Sequence, residues 1–92
     1  MAQKIKKWRI GEQAVGGIIE VTVAGKVILV KALEYWNPKN VISSGSTILD
    51  ENDKFHSRNV VREFLQSLTT DYYVDKILDW VSDNSIVPKT DW

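Results

Sequence analysis

Residues 17–49, GIIEVTVAGKVILVKALEYWNPKNVISSGSTIL, decide the fold. They read as three antiparallel strands joined by two short turns, one at Ala24-Gly25 and one at Asn37-Pro38-Lys39-Asn40. Ile18 to Val23 and Val27 to Trp36 are dense in the β-branched and aromatic residues that fit a pleated, half-buried surface. The first turn sets their register. A two-residue loop Ala24-Gly25 asks for positive φ at Ala24, whereas a three-residue loop Val23-Ala24-Gly25 places Gly25 at the left-handed third position, so the longer loop is expected.

In that register Thr22 faces Lys26, Glu20 faces Ile28 and Ile18 faces Val30. The side carrying Ile19, Val21, Val27, Leu29, Leu33 and Tyr35 becomes the core face, broken by Lys31. The opposite side mixes Glu20, Thr22, Lys26 and Glu34 with Ile28, Val30, Ala32 and Trp36. That apolar content is a reason for the sheet to curl into a partial barrel. Lys31 is the test of the register: facing solvent, it would exchange the two faces.

Pro38 suits the second position of a type I turn, with Asn37 before it and Asn40 taking the left-handed position after it. Val41 to Leu49 returns as the next strand. Ser43-Ser44-Gly45-Ser46-Thr47 makes it polar, so it reads as an edge or near-edge strand, bent at Gly45 with Gly45 facing Leu33.

Outward from this stretch, Lys4 to Ile10 is a further short strand, with Ile5, Lys7 and Arg9 on one face and Lys6, Trp8 and Ile10 on the other. Its partner cannot be read. Gly11 to Gly17 is a glycine-rich loop or bulge. Beyond the strand break at Asp50-Glu51-Asn52-Asp53, Val60, Val61, Phe64, Leu65 and Leu68 draw one apolar stripe down a helix capped by Asp53 or Ser57. Tyr73, Val74, Ile77, Leu78 and Val81 repeat the spacing, after an N-cap at Thr70 and a carboxylate at Asp71 that suits the helix dipole. The expected fold is α+β: a four-stranded antiparallel meander followed by two amphipathic helices packed on one face. One compact domain is expected over residues 1–85, with residues 86–92 a mobile tail.

A chain of 92 residues has room for one modest core. With no cysteine, disulfides and thiolate metal sites are excluded. No apolar run approaches the roughly 20 residues that span a bilayer, and the basic N-terminus lacks the apolar stretch of a secretory signal, so a cytoplasmic location is expected, without membrane contact. The preference for lysine and the many isoleucines, valines and asparagines suit a bacterial or phage protein.

The zero net charge conceals a segregation. Residues 1–40 hold seven cations against three acids, and residues 41–92 hold five against nine. Such a bipolar molecule can offer two partners opposite faces or stack head to tail.

Motifs for catalysis are missing. The single histidine, His56, excludes a histidine-rich metal site, and nothing in the spacing brings it to Ser43, Ser44 or Ser46 as a nucleophile's base. Phosphate-loop and metal-loop patterns are absent, and no cofactor is expected. Three groups remain as binding candidates. Asp71, Asp75, Asp79 and Asp83 recur at i+4 and form an acidic ridge, which as a solvated helix face needs no partner and as a docking surface would take a basic one. Trp36 and Trp80, if side by side and exposed, would form a contact hot spot. Lys4, Lys6, Lys7, Trp8 and Arg9 combine cations with a stacking ring, as nucleic-acid binders do, although a solubilising terminus has the same composition.

The function expected from these features is a small non-catalytic protein-interaction module, self-associating or bound to a protein partner. The alternative is a nucleic-acid-binding accessory protein using the basic first strand.

Overall fold

A computed structural model describes residues 3–11, 17–48 and 54–85, with the side chains of 54–57 outside that description. Four strands, β1 (Lys4–Arg9), β2 (Ile18–Ala24), β3 (Val27–Leu33) and β4 (Val41–Ile48), precede two helices, α1 (Lys54–Gln66) and α2 (Asp71–Asn84). The strands form one antiparallel sheet in the order β1-β2-β3-β4, a meander. The sheet stays open, so β1 and β4 are its edges. The α+β architecture is the expected one. The tail 86–92, Asp53 and most of the loop after Gly11 lie outside the described residues.

The first hairpin corrects the expected register. Ala24 pairs with Val27, leaving the two-residue loop Gly25-Lys26. Gly25 has φ +61° and Lys26 does not have positive φ, which is the type II′ pattern, with glycine at the first central position. Ile19 then faces Ala32, Val21 faces Val30 and Val23 faces Ile28, and all six are buried on the helix side. The β2 half of the expected core face therefore stands, and the β3 half is reversed: Val27, Leu29, Lys31 and Leu33 belong to the other side. The physical reason is parity. A loop of two residues instead of three changes which β3 side chains point with Ile19 and Val21. Lys31, now opposite Glu20, sits on the face away from the helices, where its ammonium reaches water.

The second hairpin turns at Asn37–Asn40 as expected, but β3 ends at Leu33 and not at Trp36. The Asn40 N–H donates to the Asn37 carbonyl at 2.9 Å, and the Asn40 side-chain amide donates to Glu34 Oε2 at 2.8 Å. Asn40 does not take the left-handed conformation expected of it. Gly45 faces Val30 and not Leu33, and the irregularity in the β3–β4 ladder falls at Ala32/Leu33, opposite Ile42, rather than at Gly45. β1 pairs with β2, so that Trp8 stands opposite Ile19 on the helix side and Lys7 opposite Glu20 on the open side.

Both helices lay their apolar stripes on the same face of the sheet. Val61 and Leu65 from α1 and Leu68 from the turn after it join Val74, Ile77, Leu78 and Val81 from α2 in one core with the six strand residues. Ser57, a candidate cap, falls inside α1. The end of α1 tightens into a three-residue turn, with the Leu68 N–H on the Leu65 carbonyl and the Ser67 hydroxyl on the Phe64 carbonyl. Thr70 is the N-cap of α2 through its extended backbone, without a side-chain hydrogen bond, and its carbonyl accepts from the Val74 N–H. Among the described residues no helix is long and apolar enough to cross a membrane.

Candidate interaction surfaces

The two edges of the sheet have opposite chemistry. β1 reads KIKKWR, four cations in six residues, whereas β4 reads VISSGSTI, eight residues without a charge or a proline. An edge strand presents a row of unpaired backbone N–H and C=O groups, which lysines and bulges blunt against stray pairing. β1 is blunted along its length. β4 carries one bulge, at Ile42, and beyond it an uninterrupted polar run from Ser43 to Thr47.

On its helix side β4 contributes Ser43, Gly45 and Thr47, the residues paired with Ala32, Val30 and Ile28. Side chains this small do not fill the space beneath α1. A small, half-open trough results, with Ile28, Val30 and Thr47 on the sheet side and Val60, Val61 and Phe64 on the helix side. The Phe64 ring lies over Gly45 so closely that a Cβ built there would stand 3.4 Å from Cε2. No residue lining the trough carries a titratable group, so it offers apolar surface and hydroxyls but no acid or base.

The sheet face away from the helices is partly apolar. Ile5, Val27 and Ile48 lie on it and are exposed. Alternation counted from Leu33 and from Ser43 puts Val41 and Ile42 both on this side, because the bulge adds a residue between them and the regular ladder. A row of charges crosses the same face, in which Lys7 Nζ lies 3.6 Å from Glu20 Oε2 and Lys31 stands opposite Glu20. At one end Tyr35 passes close over Gly17, whose φ is +69° and whose missing side chain would meet Tyr35 Cβ at 2.6 Å. The Arg9 guanidinium sits 5.9 Å from the Tyr35 ring.

The basic cluster is divided by the pleat. Lys4 and Lys6 share the helix side with Trp8, and Lys7 and Arg9 share the open side. The half-buried Trp8 ring meets Trp80 of α2 in a T-shaped contact at 5.6 Å and carries the Lys6 ammonium 5.3 Å from its centroid, so part of it is engaged within the molecule. Trp36 and Trp80 have separate ring partners. Trp36 is 73% exposed at the end of the second hairpin, edge-on to Tyr35 at 4.8 Å, whereas Trp80 packs in the helical layer. Asp71, Asp75, Asp79 and Asp83 are all exposed along α2, and Arg62 of α1 approaches Asp75 at 3.9 Å. His56 falls in α1, its side chain outside the description. Among the described residues no cluster of three or more histidines or carboxylates could hold a metal ion.

The polar run from Ser43 to Thr47 marks β4 as an edge in the sequence, whereas the trough beside it leaves as its trace only the alternation of the small residues Ser43, Gly45 and Thr47 across an uncharged strand. No protein-family model matches the chain, and comparison with curated proteins and with solved structures gives no match.

Proposed function

We propose that this protein is a non-catalytic protein-interaction module that receives an extended polypeptide strand along β4. The observation that carries the reading is the juxtaposition of an uncharged eight-residue edge strand with an apolar trough between that strand and a helix. In strand addition the backbone hydrogen bonds supply affinity, and alternate side chains of the incoming segment enter a neighbouring depression and supply specificity. Both elements are present at β4. The apolar lining, free of titratable groups, supports binding over catalysis.

The nucleic-acid alternative draws less support from the geometry, since the stacking ring of Trp8 faces Trp80 and Lys7 is engaged by Glu20. The acidic ridge of α2 and the exposed Trp36 remain surfaces on which a second partner could rest.

Chemical-shift mapping with a synthetic eight-residue peptide of alternating valine and threonine tests the proposal. Perturbations confined to residues 43–48 and to Val60 and Phe64 are expected. Perturbations confined to β1 or to the Asp71–Asp83 ridge, or none at millimolar peptide, would overturn it.

A further inference from the structure

Resting on the strand-addition reading, we infer that the strand received at β4 is β4 of a second copy of the same chain, paired antiparallel about a two-fold axis through Gly45. Charge selects the edge. Two β1 strands side by side would set Lys4, Lys6, Lys7 and Arg9 against one another, and like charges directly opposite are unfavourable. Pairing of β1 with β4 of another copy is heterologous, so it yields a larger ring or an open polymer instead of a two-fold dimer. β4 against β4 brings no charge to the seam and closes as a dimer.

The register follows from the apolar ends of the strand. Ile42 is 51% exposed and Ile48 66% exposed, and both lie on the open side of the sheet. With Gly45 opposite its own symmetry mate, each Ile42 faces the other copy's Ile48, Ser44 faces Ser46, and Ser43 faces Thr47. Apolar residues then cover one another at both ends, with hydroxyl pairs between. Because opposed residues in an antiparallel ladder point to the same side, this register puts the helices of both copies on one face of an eight-stranded sheet. The two α1 helices, with Val60 at the trough, come to flank the seam.

Sedimentation equilibrium over micromolar to submillimolar concentration, on the wild type and on a Ser44→Lys/Ser46→Lys double variant, tests the inference. The expected result is a wild-type mass rising from 10.5 kDa to twice that value. The double variant should stay monomeric with an unchanged far-ultraviolet circular dichroism spectrum. The register is read separately by mixing Ser44→Cys and Ser46→Cys single variants under mild oxidation, in a chain with no other cysteine. The mixed pair should crosslink in preference to either variant alone. A wild type that stays monomeric, a mass that grows past the dimer, or a double variant that dimerises as well as the wild type would each overturn the inference. Should the wild type be monomeric while the valine–threonine peptide still perturbs β4, the second copy is excluded and strand addition by another protein stands. With no perturbation either, both readings fall.

Discussion

β1 and β4 occupy equivalent positions at the two edges of one sheet, yet they are protected in different ways. β1 displays four cations and is fastened to the helices by Trp8, whose ring meets Trp80 and lies in the partly buried margin of the core. β4 displays no charge, and its helix side is Ser43, Gly45 and Thr47, against which α1 sets Phe64 and leaves a trough. An edge closed by charge and aromatic packing is finished as it stands. An edge with no charge and an adjoining apolar depression is less guarded against pairing with another strand. The difference teaches where to look for a partner when no catalytic constellation is present.

That contrast can be broken at several points. The largest effect is expected from Trp8→Ala, which should lower unfolding free energy by about 3 kcal/mol, the low end of the range for truncating a packed tryptophan, and should loosen β1 specifically. Urea denaturation gives the magnitude, and amide exchange along β1 shows whether the loss is local. A change below about 1 kcal/mol would mean that β1 is held by its ladder alone and that the aromatic contact is incidental.

Gly25→Ala tests the register that assigns residues to each face. A side chain at φ +61° costs on the order of 1 to 2 kcal/mol, so a measurable fall in thermal midpoint is expected. A neutral result would remove the type II′ turn from the account. Gly45→Ala is expected to act in the opposite direction. Gly45 has ordinary φ, and a Cβ there makes van der Waals contact with Phe64, so loss of unfolded-state freedom should stabilise the chain by about 0.5 kcal/mol. Destabilisation would show that β4 needs its glycine for close approach. The smallest effect belongs to Lys7→Ala. Lys7 is well exposed beside Glu20, and such pairs contribute about 0 to 1 kcal/mol, so stability should barely move while the edge loses a guarding charge.

Most of the architecture was legible because it depends on local pattern. The branched residues of β2 and β3, the turn at Asn37–Asn40 and the two stripes 60–68 and 73–81 each specify an element from within a short window. The face of β3 was not, because it depends on where two strands are joined. Val23-Ala24-Gly25-Lys26 permits more than one loop, and a change of parity reverses every β3 side chain. Lys31 held the answer, since a lysine amid Ile28, Val30 and Ala32 marks the face away from the helices, even though Leu33 on that face is itself buried.

The candidate site was less legible still. Charged and aromatic clusters stand out in a sequence, and the structure distributes them: Lys6 and Lys7 to opposite faces, Trp36 and Trp80 to different partners. A vacancy leaves a quieter trace. The trough exists because α1 lies over β4, and no spacing within either element states that they meet. Ser82 is a similar case, a hydroxyl buried in the apolar face of α2 without a hydrogen-bond partner among the described residues.

The central claim is that β4, and not β1, is the edge that accepts another strand. Amide hydrogen exchange measured residue by residue at low and high protein concentration addresses it directly. Alternate amides within residues 43–48 should gain protection as concentration rises, while the amides of β1 exchange at the same rate throughout. Protection gained along β1, or amides of both edges exchanging alike at every concentration, would contradict it.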